Sequence, residues 1–254
     1  MPMNPQGKVC VISQPTFLPW LGWFDMADQA DTVVILDDVA FSKQSWQQRN
    51  RIRSPRGLEL LSVPVKTTGR LGQRIYECEI AGHHFVRKMI ATLQVNYSRA
   101  RWGCMLDEFA QVMVKAAETC QLVELNCVLI EWISLQLQVI TPMIRASTLS
   151  VGGQRGSHVA EICNILSARH YLSPAGAENY LLEDRAAFDA LDISVWMHVY
   201  MHPEYAQLHA PFMPYACALD LIFNEGPNAA TIMRSGRRPA RPMGAIQSCK
   251  EQIS

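Results

Sequence analysis

Residues 37–56, DDVAFSKQSWQQRNRIRSPR, concentrate the side chains that do chemistry. Arg49, Arg51, Arg53 and Arg56 fall within eight residues. If residues 49–53 are extended, the first three arginines point to one face and Asn50 and Ile52 to the other. In a helix they would spread around the axis. A row of guanidinium forks ~7 Å apart suits a diphosphate, a phosphopantetheine arm or a nucleic-acid backbone. The same residues would also serve as a solvated basic face paired with nearby acids. Asp37 and Asp38 are adjacent, so on an extended chain they point to opposite sides and make a poor shared acid/base pair. One carboxylate is expected to hold an ammonium group or take a proton from an amine. The other is expected to cap a turn or pair with an arginine, and a structural role for both is the alternative.

A second stretch, residues 14–22 (QPTFLPWLG), is stiffened by Pro15 and Pro19 and offers the flat faces of Phe17 and Trp20. It reads as a substrate wall or as ordinary packing against the next helix. The histidines are weaker signals. His198 and His202 are four apart, but SVWMHVYMHP is β-like, and in a strand that spacing is ~13 Å, too far to share a zinc ion. Ser157-His158 reads more readily as a helix cap than as a nucleophile with its base. The sequence contains no H-E-x-x-H, Walker loop, G-x-S-x-G or G-x-G-x-x-G, and Gly152, Gly153 and Gly156 are too irregular for a phosphate loop. No metal or other cofactor is expected.

The elements that must position these residues follow from periodicity. Residues 9–13 (VCVIS) form a short apolar run ending at Gln14-Pro15, a buried strand leaving a sheet. A short helix over 23–29 and a strand over 32–37 (TVVILD) complete the opening of a βαβ unit. The acidic and basic segment then leaves the sheet where ligand sites of open α/β sheets lie. Residues 58–66 and 75–80 flank a polar, glycine-bearing connection and read as an antiparallel hairpin. Helical spacing over 84–96, 105–119 and 122–139 makes a helical subregion of about 84–148. Ser157 is placed to cap a helix over 158–168. Strands follow at 170–172 and 194–200, then helices at 216–224 and 228–234, split by Glu225-Gly226-Pro227. The expected architecture is one α/β domain over residues 1–234. It has an open, mostly parallel sheet built from a βαβ start, with an inserted β-hairpin and a helical middle segment. Residues 235–254 carry no apolar period and read as a flexible tail.

Composition sets the outer limits. A chain of 254 residues makes one large domain or two small ones, and an apolar share of 49% excludes whole-chain disorder. With 23 basic and 23 acidic residues the net charge is zero, which argues against a dedicated polyanion binder. The charged share of 18% falls below the usual ~25%, pointing to a large buried area or to an interface between copies of the chain. The eight cysteines are scattered with no C-x-x-C pair, so they read as reduced, buried hydrophobes of a cytoplasmic protein. No signal peptide is visible before the first strand. Residues 122–144 are apolar but contain Glu124, Glu131 and Pro142, so they read as a buried helix rather than a membrane span.

Several words of the sequence are distinctive: QPTFLPWLGWF, then AD-x-x-VILDDVAFSKQSWQQRNRI, LSVPVK, YLSPAGAENYL, HPEYAQ and LDLIFNEG. Running in register over about residues 9–233, they resemble the WbqC-like protein family, with Trp46, Arg49 and Asn50 after the Asp-Asp pair forming the most specific word. Gln14, Asp37, Asp38, Lys43, Trp46, Arg49, Asn50, Tyr205 and Gln207 are among the matching positions. Two positions depart: Trp20 stands where many relatives have Tyr or Phe, and Cys217 where several have Ser. The resemblance implies a place in bacterial O-antigen or related surface-polysaccharide clusters, one member having been proposed as a glycine transferase acting on an amino sugar.

The expected activity is therefore transfer of an aminoacyl (glycyl-like) or other acyl group from an activated donor to an amine. The acceptor must lose a proton, the developing oxyanion needs donors, and water must be excluded. An amine attacks an activated donor directly, so no enzyme nucleophile is required. Asp37, Asp38 and Arg49 are the expected catalytic residues. Gln14, Trp20, Lys43, Trp46, Asn50, Arg51, Tyr205 and Gln207 are the expected substrate contacts. Zero net charge favours a carrier-protein thioester over tRNA as donor. The alternatives are an amidase or nucleotide-sugar modifying enzyme, and a non-catalytic module binding a carrier or a nucleotide sugar.

Overall fold

The computed structural model describes residues 7–245. Its centre is β1 (Lys8–Ser13), whose apolar run is buried on both faces, as a central parallel strand requires. Val9 and Val11 pack into one hydrophobic cluster and Cys10 and Ile12 into another, following the two-residue alternation of a strand. Around it run β2 (Thr32–Ile35), β5 (Met143–Arg145), β6 (Ala168–Pro174), β7 (Ser194–Tyr200) and β8 (Arg237–Pro242). The sheet order is β5-β2-β1-β6-β7-β8, parallel throughout except for antiparallel β8 at the edge. The expected mostly parallel α/β sheet is thus present.

Helices cover both faces. On one side lie α1 (Leu21–Ala27), the middle helices α2 (His84–Tyr97), α3 (Met105–Ala116) and α4 (Leu122–Gln136), and the late helices α8 (Ala218–Glu225) and α9 (Ala229–Ser235). On the other lie α5 (Arg155–Ile165), α6 (Glu178–Glu183) and α7 (Arg185–Asp189). α5 starts at Arg155, earlier than expected. Ser157 sits inside its first turn rather than capping it, and exchanges hydrogen bonds with the backbone of Gln154 at 2.7 and 3.2 Å.

Two expectations are corrected. The hairpin is formed by β3 (Arg49–Ser54) and β4 (Gly57–Ser62), a separate two-stranded sheet, and not by residues 58–66 with 75–80. Pro55-Arg56 forms a two-residue turn, and Gly57 follows at φ +121°, a conformation that favours glycine. Residues 65 and 80 meet in one isolated bridge, and Ile75–Glu77 is a single 3-10 turn. The supposed tail holds β8, a strand invisible to hydropathy because RRPARP is an edge strand with no apolar face. Ion pairs fasten it: Arg237 to Asp25 and Asp28, and Arg241 to Glu178. The remainder of that expectation, residues 246–254, lies outside the described residues.

Candidate functional site

The sheet order creates a topological switch point. From β1 the chain crosses to β2 on one side, whereas from β6 it crosses to β7 on the other. The carboxyl ends of β1 and β6 therefore diverge, the place where open α/β sheets bind ligands. A crevice of about 270 Å³ opens there, with Ser13, Gln14, Thr16, Trp46 and Tyr180 among its walls. A second cavity, also of about 270 Å³, shares Thr16 and Trp46 with it and adds Trp20, Trp23, Arg51 and Tyr215.

The loop after β1 and the segment before β3 are lashed together. Phe17 N–H donates to the Trp46 carbonyl at 2.9 Å. The Asn50 amide donates to the carbonyls of Phe17 (3.1 Å) and Leu18 (2.8 Å), and the Asn126 amide to those of Pro15 (2.9 Å) and Gln47 (2.8 Å). These bonds hold Leu18 in a left-handed conformation, φ +44°. A relay then orients Gln14. Ser42 N–H donates to Gln47 Oε1 at 3.1 Å, and Gln47 Nε2 donates to Gln14 Oε1 at 2.8 Å, which leaves the Gln14 NH₂ as a donor for the exposed side.

Asp37 and Asp38 have divided roles. Asp37 is fully buried, and its carboxylate accepts from Arg145 Nε (2.6 Å), Ser147 N (2.9 Å) and Ser147 Oγ (2.8 Å). Register explains the pairing: Ile35 lies beside Arg145 across β2 and β5, so Asp37 and Ser147 leave the sheet together. Arg145 also reaches Glu124. Asp37 is thus a frame residue. Asp38 turns the other way and meets His158, with Oδ2 3.0 Å from Nε2 and both side chains nine-tenths buried or close to it. The contact lies off the hydrogen-bonding line, which leaves His158 Nε2 without a hydrogen-bond partner; Asp38 Oδ1 lacks one as well, and both atoms are buried. His158 Nδ1 is 2.9 Å from the Gly152 carbonyl. Leu36, two residues before Asp38, and Val159, next to His158, line the crevice, while Asp38 and His158 sit behind that wall and line neither cavity. His158 is thus no mere helix cap.

The arginine row is realised as a strand but not as a common ligand face. Arg53 is buried, and its guanidinium donates to the carbonyls of Ser54 and Pro211. Arg51 is exposed and stacks over Trp46, 5.3 Å from the ring centroid. Arg49 is half-buried and lines neither cavity, and Lys43 is exposed outside both. Asn50 has its amide turned into the 14–22 loop. Phe17 is fully buried core, whereas Trp20 is half-buried and lines the second cavity. A Cβ on Gly22 would stand 2.4 Å from the Trp20 ring, so that indole requires glycine beneath it.

Tyr205 and Gln207 face the interior. Tyr205 Oη and Gln207 Nε2 each donate at 2.7 Å to Asp220 Oδ2, while Tyr97 Oη donates to Oδ1 at 2.9 Å. Burial raises the Asp220 carboxyl above its ordinary range, and these donors pull it back only in part. Cys217, fully buried, has its thiol pushed up to about 12 by burial, which makes it inert as a nucleophile. Among the described residues no group of three or more His, Cys, Asp or Glu side chains could hold a metal, and no helix is long and apolar enough to cross a membrane.

Comparison with known proteins agrees with the sequence words. A model of the WbqC-like protein family matches residues 14–232. A Mycobacterium tuberculosis protein described as "Uncharacterized protein Rv1507c" is 31% identical over 233 residues, covering 91% of this chain and all of the relative. No solved structure matches. From the switch-point crevice with its lashed 14–22 loop, and from similarity along nearly the whole chain, the protein belongs to the WbqC-like protein family.

Proposed function

We propose that the protein is a cytoplasmic transferase that joins an aminoacyl or other acyl group from an activated donor to an amine held in the switch-point crevice. The product would be an amide of surface-polysaccharide or related small-molecule biosynthesis. The observation that carries this reading is the Asp38–His158 pair beside the crevice, buried yet with a carboxylate oxygen and a ring nitrogen unpartnered. Asp38 Oδ1, buried until the crevice wall at Leu36 and Val159 gives way to substrate, takes the proton that the amine loses as it attacks the acyl carbon, and the pair returns that proton to the leaving group as the tetrahedral intermediate collapses. The outward NH₂ of Gln14 donates to the developing oxyanion. Trp46 and Tyr180 shield the reacting atoms from water. Arg49 and Lys43 remain candidates for the donor's phosphate. A carrier-protein thioester is preferred to tRNA because the chain has no net positive charge. The cytoplasmic assignment is supported by seven free cysteines among the described residues.

The test is mass gain on a panel of amines, using purified protein and a glycyl thioester of a carrier. Asp38→Asn is expected to lower kcat by roughly 10²–10⁴-fold, the usual contribution of a general base. Arg49→Ala is expected to raise KM for the donor. Full turnover by a folded Asp38→Asn protein would remove the assignment.

A further inference from the structure

The second cavity has a chemistry of its own, distinct from proton transfer. Its walls are three indoles and a phenol: Trp20, Trp23, Trp46 and Tyr215. Two of these rings are conspicuously open to solvent, Trp46 at 49% and Tyr215 at 57%. Large aromatic side chains gathered at one opening are an uncommon use of surface, since each would gain by burial. Tyr215 is further held at φ +68°, a left-handed conformation costly for an aromatic residue. Trp20 is fixed from behind, stacked on His202 (6.3 Å between centroids) and edge-on to Tyr200 (5.6 Å). Trp23 is pinned by its Nε1 donating to Ser13 Oγ at 3.0 Å, which ties this cavity to the end of β1. Trp20 and Tyr215 also touch each other, 5.6 Å between ring centroids and tilted by 56°, so these two rings form one preorganised pair in the cavity wall.

Beside the rings stands cationic charge. Arg51 lies over Trp46, and Arg49 shares its face of β3 by strand alternation. Among the described residues neither arginine forms an ion pair with an acid, so both guanidinium groups keep their charge for a ligand. A cluster of planar rings next to two arginines without acidic partners selects a ligand that is flat at one end and anionic at the other. The geometry points to a binding site for a nucleoside diphosphate group, with its base against Trp46 and the Trp20–Tyr215 pair and its phosphates on Arg51, the arginine that lines the cavity, and leading towards Arg49 on the same face of β3. Because the two cavities share Thr16 and Trp46, a substrate held by this handle would present its reacting end to the switch-point crevice. That last step rests on the transfer reading; the binding site itself does not.

The experiment is a titration of the full chain with ADP, GDP, CDP and UDP, followed by calorimetry and by quenching of tryptophan fluorescence. The matching nucleosides and ribose 5-phosphate serve as controls. At least one diphosphate is expected to quench and to bind at least tenfold more tightly than its nucleoside and than ribose 5-phosphate. Trp46→Ala is expected to weaken it roughly 5- to 150-fold, the usual weight of one stacked base, and Trp46→Phe to restore most of the loss. Arg51→Ala is expected to bring the diphosphate down towards the affinity of the nucleoside. Trp46 and Arg51 are exposed enough for both variants to keep the wild-type melting temperature. The proposal is overturned if no diphosphate binds better than ribose 5-phosphate, or if binding is indifferent to Trp46→Ala and Arg51→Ala. Binding is read without donor or turnover, so a negative result leaves the amide-forming reading standing, and an inactive enzyme leaves this site standing.

Discussion

Asn50 separates a residue that touches substrate from one that builds the site. The sequence pattern makes it a substrate contact, whereas the structure turns its amide inward onto the carbonyls of Phe17 and Leu18 and lets its oxygen accept from Arg51 N at 2.8 Å. In Asn50→Ala both carbonyls lose their donor in a place where Phe17 and Leu18 are wholly buried. Each orphaned group costs about 1–3 kcal/mol. Release of Leu18 from its left-handed conformation returns about 1–3 kcal/mol. Two such groups cost about 2–6 kcal/mol, so the net loss is about 1–3 kcal/mol, and at roughly 2–4 °C per kcal/mol for a chain of this size the melting temperature should fall by several degrees. Asn50→Asp should be worse, because a carboxylate would face two carbonyls with nothing to donate. Calorimetric melting of the two variants beside wild type gives the answer. An Asn50→Ala protein that melts within 1 °C of wild type while losing substrate affinity would refute this account and return Asn50 to the substrate.

Further outcomes follow from the same contacts. Arg145→Ala leaves the Asp37 carboxylate buried with only Ser147 as partner and should cost about 3 kcal/mol in urea unfolding. Gln47→Glu removes the donor to Gln14 Oε1, so the Gln14 amide should reverse to meet the new carboxylate, lowering kcat for transfer with little change in melting temperature. Burial pushes the Asp28 carboxyl up, but hydrogen bonds from Arg234 and Arg237 outweigh it and hold the group below 3.8. Its stabilisation is therefore present above about pH 4 and lost as the pH falls further, and Arg234→Ala should flatten that acid limb in melts run from pH 5 to pH 2. A chain stopped after Gly236 uncovers the edge of β7 and strips Asp25 and Asp28 of Arg237, so it should aggregate under conditions where the full chain stays monodisperse by light scattering.

The parts of the fold that hydropathy dictates were legible in the sequence. β1, α1 and β2 follow from apolar runs and short connections, and α2 to α4 from helical spacing. What hydropathy does not dictate was hidden. β3 is an arginine-rich strand whose pairing is set by the turn at Pro55-Arg56, and β8 is held by ion pairs. The site shows the same division. Gln14 and Trp46 stood out by residue type and do meet at the crevice. His158 gave no such signal, because it lies 120 positions after Asp38 and reaches it only through the crossover from β5 into α5. One hint was available: α5 follows the strand that pairs with β2, which brings its first turn to the end of β2. Tyr205 and Gln207 misled for the opposite reason. Their polar ends satisfy Asp220, an acid within the apolar run ALDLIF, and such a buried acid needs donors of its own.

In the proposed reaction the two adjacent aspartates divide a proton acceptor from a structural charge. Every hydrogen bond to Asp37 is donated to it, from a guanidinium, a backbone N–H and a hydroxyl, so its fully buried oxygens are engaged within the protein and have no room for a substrate. One residue later, in the bend after β2, Asp38 turns the other way and meets His158. The Gly152 carbonyl can only accept, so His158 Nδ1 carries hydrogen. A neutral imidazole would then set a bare Nε2 against Asp38 Oδ2 at 3.0 Å, lone pair to lone pair. Asp38 Oδ1 is buried and without a partner, and in the proposed reaction it is the atom that receives the amine's proton once the crevice wall gives way to substrate. Moving either carboxylate by one position along the chain would exchange frame for acceptor. An Asp37→Asn protein should therefore lose stability before it loses chemistry, and Asp38→Asn the reverse.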